Sequence, residues 1–194
     1  MADIEGGPPP WALDATKQLK EEDRKRFAIH TAGPVIAHIR LFPEQKIGKF
    51  QAGGVVEIGL HLLSLQRPEN EKEQLLQDEQ FDKLAIVFCS SYGALLTAGY
   101  SKEQSALHCG TSIDGRGNFE IASKMSTEPL SVIKEKAVNL MELRKNRRAV
   151  ELLSDELIKR NWLDHEWAIE VTELADGFSD EAAYEMYVRN RERI

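Results

Sequence analysis

The sequence predicts an α+β fold, in which a single domain holds a mainly antiparallel β-sheet and its helices are concentrated in the C-terminal half. Short apolar runs, either alternating or continuous, lie mostly before residue 122 and are bounded by glycine or proline. Longer runs with the period of an amphipathic helix follow residue 126. A chain of 194 residues can fill one core, so residues 11–194 are predicted to form one α+β domain behind an N-terminal arm.

The N-terminal arm comprises residues 1–10 and is predicted to be extended. Pro8, Pro9 and Pro10 are consecutive and favour the polyproline II conformation. Proline-rich peptides of this kind dock in aromatic-lined grooves of other proteins, although the same segment also fits a tail without a partner. Pro8, Pro9, Pro10 and the adjacent Trp11 are therefore candidate contacts with a protein partner.

The first half of the predicted domain alternates between helical and strand patterns. Residues 14–27 carry apolar side chains at helical intervals and begin with an aspartate that can cap a helix. Alternating side chains between Pro34 and Pro43 predict a strand. Residues 53–66 fit either a strand or a helix, and their glycines favour the strand. The acidic stretch 68–83 fits a charged helix or a loop.

Two further strand regions are predicted on either side of residue 100. Residues 84–89, LAIVFC, are continuously apolar, as strands buried on both faces are. Residues 107–121 are predicted to form a hairpin, because a three-residue loop at 115–117 brings the apolar side chains of both arms to one face. In that hairpin, Cys109 lies on the apolar face and His108 on the opposite one.

The second half of the chain is predicted to be mainly helical. Residues 130–141 and 149–158 each carry an apolar stripe of helical period, and the polar residues around Asn146 mark the predicted break between them. Side chains alternate over residues 166–173, which predicts a short strand. Residues 180–194 are predicted to form the last helix.

The composition narrows the classes of protein to which the chain can belong. A net charge of −7 weighs against broad binding to nucleic acids or anionic membranes, which needs a basic surface. No apolar run is long enough to span a bilayer, and the N-terminus lacks the pattern of a signal peptide. Two cysteines cannot build a disulfide framework. We therefore expect a cytoplasmic protein with reduced thiols and no membrane contact.

Three residues are candidates for catalysis. The sequence FCSSYG follows a predicted strand and supplies Cys89 and Ser90, although it lacks the G-x-S-x-G spacing of a nucleophile elbow. Cys89 and His108 could form a nucleophile–base pair if their predicted strands are neighbours. These residues support an alternative function, that of a small hydrolase or transferase. The five histidines show no metal-ligand spacing and no phosphate-binding loop motif occurs, so neither a metal nor a cofactor is expected.

The densest basic cluster supports a second alternative. It consists of Arg144, Lys145, Arg147 and Arg148. On a helix these side chains spread around much of the circumference, and acidic neighbours dilute their charge. They fit either a solvated helix surface or a contact with an anion or a nucleic acid, and the second interpretation would make the protein a nucleic-acid-binding accessory factor.

The leading hypothesis is a non-enzymatic interaction, assembly or regulatory protein that binds a protein partner or a second copy of itself. The last predicted helix combines an apolar stripe with an arginine-rich end, and Tyr, Met and Arg are enriched at interfaces. Tyr187 and Arg189 are therefore candidate partner contacts, together with the N-terminal arm. Under this hypothesis, deletion of residues 1–10 or of the last helix removes the contact and leaves the core folded.

Overall fold

The computed structural model describes residues 21–52, 70–110 and 117–191, and 80% of this part of the chain is helical. The sheet found in these ranges has two short strands. The prediction of an α+β domain with a mainly antiparallel sheet is therefore wrong. In chain order, the elements are α1 (Glu21–Leu41), β1 (Phe50–Gln51), α2 (Glu71–Thr97), α3 (Lys102–Gly110), α4 (Asn118–Met125), α5 (Leu130–Glu142), α6 (Arg144–Arg160), β2 (Trp162–Leu163), α7 (His165–Gly177) and α8 (Glu181–Arg191).

The strand predicted between Pro34 and Pro43 lies instead in the C-terminal half of α1. Pro34 is inside this helix, where it lacks the N–H that would bind the carbonyl of His30 one turn earlier. The Ser91 hydroxyl of α2 donates to that carbonyl over an Oγ–O distance of 2.9 Å. The helix continues through Pro34 because a neighbouring helix satisfies the carbonyl that the proline leaves unpaired.

The strand predicted at 84–89 is also wrong, because these residues lie in the middle of α2. This helix packs against α1, α4 and α5, and Leu84, Val87 and Cys89 are buried. A helix that is covered on several sides is apolar on several sides, so its sequence does not show the period of an amphipathic helix. The FCSSYG sequence is likewise helical, and no strand-to-turn elbow exists there.

Two helices replace the hairpin predicted at 107–121. His108 and Cys109 lie in the last turn of α3, and the apolar residues of the second predicted arm lie on α4. The predicted hairpin therefore assigned a period of two to residues that have a helical period. Of the predicted loop at 115–117, Gly117 is among the described residues and the other two positions are not.

The strand predicted over residues 166–173 lies in α7. The Asp164 side chain begins this helix by accepting a hydrogen bond from the backbone N–H of Trp167, with an Oδ1–N distance of 3.0 Å. The buried positions 168, 171, 172 and 175 recur with helical spacing. Eight residues are too few to separate the two periods, which explains the wrong prediction.

The helices predicted in the second half are confirmed, with one change of boundary. α5 and α6 cover the two predicted stripes, and α8 is the predicted last helix. The break falls at Leu143, not at Asn146. Asn146 is buried inside α6, where its side chain accepts a hydrogen bond from Arg40 and donates one to the carbonyl of Leu140.

Some predicted segments lie wholly or partly outside the described residues. The arm at 1–10 and the ambiguous stretch 53–66 are outside them. The later part of the first predicted helix belongs to α1, and most of the acidic stretch 68–83 belongs to α2. The Asn70 side chain caps the start of α2 by accepting from the backbone N–H of Glu73.

The main core is formed by α1, α2, α6 and α7, and it contains fully buried side chains such as Ile36, Leu95 and Leu153. A smaller apolar cluster lies between α2, α4 and α5. The strands β1 and β2 pair antiparallel, with Phe50 opposite Leu163, and so join the chain after α1 to the chain after α6. In the described ranges, no helix is both long enough and apolar enough to cross a bilayer.

Candidate functional site

The His108 ring packs onto α1 and not onto the proposed nucleophile. Its centroid lies 4.8 Å from that of Phe27 and 4.7 Å from that of His30, and the two imidazoles meet edge to face. The hydrogen bonds of the described residues do not join His108 to Cys89. The structure therefore brings His108 together with His30, a residue that sequence reasoning did not single out.

Both imidazoles of this pair are neutral near pH 7. Burial lowers the pKa of His30 to about 3, and the neighbouring His108 adds to this shift. Burial also lowers the pKa of His108. The charge of Arg26 lowers this pKa further, and the charge of Asp23 opposes the shift. Neutral rings of this kind accept and donate hydrogen bonds, but they are weak bases for proton abstraction at neutral pH.

The two thiols are buried in apolar surroundings. Cys89 and Cys109 are 0% and 1% exposed, and neither forms a disulfide. Burial raises the pKa of each thiol to about 12, while the charge of Lys134 opposes both shifts. Because the thiolate is the nucleophile, a thiol with this pKa reacts slowly at pH 7.

The serines after Cys89 bind backbone carbonyls. Ser90 Oγ donates to the carbonyl of Ile86 one turn earlier in α2, over 2.7 Å. Ser91 Oγ donates to the His30 carbonyl and accepts from Asn118 Nδ2 over 3.2 Å. Both hydroxyls therefore satisfy carbonyls within the helical packing, and the hydrogen bonds of the described residues do not join Ser90 to an imidazole that could act as a base.

A lysine from α5 lies over two aromatic rings beside the thiols. The Nζ atom of Lys134 is 4.5 Å from the Tyr92 centroid and 4.4 Å from the Phe119 centroid. The two rings contact each other edge to face, with centroids 5.5 Å apart. This cation–π arrangement ties α5 to α2 and α4. Its residues come from three separate stretches of sequence, so no local pattern predicted it.

The basic cluster of the sequence is divided by the fold. Arg148 is buried and donates to Glu181 of α8 over 2.9 Å, while Arg147 is half exposed and lies 3.5 Å from the same carboxylate. Arg144 and Lys145 are exposed at the start of α6. The cluster thus faces the beginning of α8 rather than forming one open basic surface.

The last helix is attached to α6 by polar contacts and one buried aromatic ring. Tyr184 is 4% exposed, and its hydroxyl donates to a Glu151 carboxylate oxygen over 2.7 Å. Of the predicted partner contacts, Tyr187 packs against Phe178, and Arg189 is exposed and paired with a glutamate one turn earlier. The predicted contacts Pro8, Pro9, Pro10 and Trp11 lie outside the described residues.

A pair of leucines is exposed at the beginning of α2. Leu75 is 69% exposed and Leu76 is 53% exposed. The six residues from Glu71 to Leu76 are all exposed, whereas most residues from Leu84 to Leu95 are buried. The first turns of α2 therefore project from the packed helices. The prediction of a charged helix or a loop over residues 68–83 did not single out these leucines.

The described residues provide weak bases, protonated thiols and paired arginines. Across residues 21–52, 70–110 and 117–191, no group of three or more His, Cys, Asp or Glu side chains could hold a metal ion. Among the described residues, the exposed leucines of α2 are a feature that this internal packing does not explain. Comparisons of the chain with protein-family models, with curated proteins and with solved structures give no match.

Proposed function

We propose that this chain is a non-enzymatic protein that acts by binding another protein, and that the first turns of α2 form the contact surface. The observation that carries this proposal is the exposure of two adjacent leucines, Leu75 at 69% and Leu76 at 53%. Burial of a leucine side chain contributes roughly 1.5–3 kcal/mol, so two such side chains on one projecting helix supply a useful part of a binding energy.

The charges around the leucines indicate the chemistry of the partner. The ten residues from Asn70 to Glu79 carry four carboxylates and one lysine. A complementary surface therefore has an apolar groove with basic side chains at its rim. In a symmetric contact between two copies of this chain, the acidic residues would face each other, which disfavours self-association through this surface.

The outer face of α8 is a second candidate surface for binding a protein partner. Met186 is 64% exposed beside the predicted contact residue Arg189. Deletion of the whole helix is a poor test, because it would uncover the core around Tyr184 and remove the only carboxylate that pairs with the buried Arg148 in the described residues. Single surface substitutions test the α8 face without this damage.

The test uses a defined probe. A synthetic amphipathic helical peptide carries leucines on one face and lysines at their flanks, and a matched peptide replaces the lysines with glutamates. We expect the wild-type protein to bind the basic peptide in fluorescence anisotropy and the acidic peptide much more weakly. The double variant Leu75→Ser/Leu76→Ser loses binding of the basic peptide, and Met186→Ser retains it.

The alternative outcomes separate the two surfaces and the two kinds of partner. Equal binding by the wild type and the leucine variant would rule out the α2 surface, and a loss confined to Met186→Ser would assign the contact to α8. A dimer in light scattering that Leu75→Ser/Leu76→Ser abolishes would replace the proposed basic partner with a second copy of the chain. Circular dichroism of each variant checks that the helices are intact.

A further inference from the structure

Arginines at the start of α6 converge on one carboxylate of α8. Arg148 Nη2 lies 2.9 Å from Glu181 Oε2, and Arg147 Nη2 lies 3.5 Å from Glu181 Oε1. The hydrogen bond from Arg148 lowers the pKa of Glu181, and the charges of Arg148, Arg147 and Arg144 lower it further. The two oxygens of a single carboxylate thus face two guanidinium groups, with a third nearby.

Arg148 is the buried part of this arrangement. Its side chain is 6% exposed, and its Nη1 donates to the carbonyl of Phe178 over 3.2 Å. Its Nε is buried and has no hydrogen-bond partner in the described residues. A buried guanidinium requires an anion beside it, and this one retains an unused donor next to its anion.

We propose that Arg144, Arg147 and Arg148 form a binding site for a phosphoryl group, and that Glu181 occupies this site in the present structure. The forked donors of arginine match the oxygens of a phosphoryl group, as they match those of a carboxylate. A doubly charged phosphoryl group balances three guanidinium groups better than a single carboxylate does. α6 begins at Arg144 without a side-chain cap, so the positive end of the helix dipole adds to the attraction.

The position of Glu181 makes α8 an internal competitor for the ligand. Glu181 is the first residue of α8, and the rest of that helix is attached through Tyr184 and through the ion pair between Arg191 and Glu156. A phosphoryl group therefore has to displace only the first turn of α8.

The surroundings favour a single phosphoryl group over a nucleic acid. The chain has a net charge of −7, and the charge of Arg148 also acts on Asp180, which lies next to Glu181 in the sequence. Lys145 acts on Asp176 of α7. A compact site bordered by carboxylates accommodates one small anion and repels an extended polyanion.

The test removes the internal competitor. In Glu181→Ala, the carboxylate is absent and the arginines remain, so inorganic phosphate takes its place. We expect phosphate to raise the Tm of Glu181→Ala more than that of the wild type, and to bind the variant about tenfold more tightly in titration calorimetry. Sodium chloride at the same ionic strength gives the screening background. The matched control is Glu185→Ala, which removes an exposed carboxylate on the same helix and leaves the site intact.

A second substitution links the effect to the arginines. Arg147→Ala in the Glu181→Ala background is expected to remove most of the gain in phosphate binding. The proposal is overturned if phosphate stabilises Glu181→Ala no more than chloride or acetate does. Tighter binding of a single-stranded DNA oligonucleotide without a response to phosphate would instead assign the arginines to nucleic-acid contact. If Glu181→Ala is unfolded at low salt, its helical circular dichroism is measured in phosphate and in chloride. Recovery in phosphate alone supports the phosphoryl site, and equal recovery in both salts overturns it.

Discussion

The hydroxyl of Ser91 donates a hydrogen bond to the carbonyl of His30 over 2.9 Å, and it thereby supplies the donor that Pro34 lacks. Gly33, which precedes Pro34 in α1, faces the backbone of Ser90, which precedes Ser91 in α2. These two adjacent pairs bring α1 and α2 close together at the centre of the fold.

Replacement of the Ser91 hydroxyl should destabilise the fold. Ser91→Ala leaves the His30 carbonyl without a donor in the buried crossing and removes the acceptor of Asn118, so we expect the free energy of unfolding to fall by about 1–3 kcal/mol. Chemical denaturation monitored by circular dichroism measures this change. Ser105→Ala is the matched control, because the buried Ser105 hydroxyl has no hydrogen-bond partner in the described residues and its removal should cost little.

A side chain at position 33 should separate α1 from α2. A Cβ atom placed on Gly33 would lie 2.5 Å from the Ser90 carbonyl oxygen, and both are backbone-anchored positions that cannot rotate away. We expect Gly33→Ala to lower the free energy of unfolding by roughly 1–3 kcal/mol, despite the higher helix propensity of alanine. Gly177→Ala serves as the control, since a Cβ there has open space around it. Equal stabilities for the two variants would contradict the close approach.

Acid should destabilise the protein through His38, which has no exposed surface. Burial lowers the pKa of His38 to about 4. The charge of His165 lowers this pKa further, and a hydrogen bond with the Gln45 side chain opposes the shift. Because the folded pKa is below the unfolded value of 6.5, the unfolded state binds the proton first as the pH falls. The stability present above pH 6.5 is therefore lost progressively towards pH 4, by about 1.4 kcal/mol per pH unit.

The variant His38→Leu isolates this contribution. Leucine has a similar volume and no titratable group, so the variant should lose less stability than the wild type between pH 6.5 and pH 4 in denaturant titrations. The difference between the two proteins removes the titration of the carboxylates, which both share. A pH dependence that is the same in both proteins would show that His38 is not the source of the acid sensitivity.

The thiols should react only when the protein opens. Burial raises the pKa of both thiols to about 12, so almost none of either thiol is ionised at pH 7, and both side chains are buried. We expect a thiol reagent to label Cys89 and Cys109 slowly, at a rate that rises with denaturant as the unfolded population does. Cys89→Ser and Cys109→Ser assign the rates to each residue. Rapid labelling of Cys89 in the folded protein would support the hydrolase or transferase hypothesis.

The sequence predicted the amphipathic helices α5 and α6, but it missed the largely buried segments of α1 and α2. α5 and α6 show clear apolar stripes because charged residues lie on their opposite faces. Lys159 and Arg160 at the end of α6 are examples of such charged residues. Along α1, residues 31 to 39 are buried without interruption, so the segment has no polar face to define a period. Pro34 then favoured a strand, since the compensating Ser91 hydroxyl lies far away in the chain.

The residues of the candidate site could be predicted only in part. Reactive residue types drew attention to Cys89 and His108, but their reactivity depends on burial, which the sequence does not give. The ring that meets His108 belongs to His30, and this contact depends on how α3 crosses α1. The basic cluster was visible in the sequence, whereas the carboxylate that faces it, Glu181, comes from a helix that no local pattern connects to it.

The pairing of β1 with β2 bears on the order in which the chain folds. Phe50 and Leu163 are opposite each other in this ladder although more than a hundred residues separate them in the chain. Closing so large a loop costs more chain entropy than forming a helix, so we expect these hydrogen bonds to form after the helices have assembled. In this order of events the helices form the folding nucleus. The ladder forms afterwards and joins the segment after α1 to the segment after α6. Its amide protons should accordingly gain protection last in pulsed hydrogen exchange.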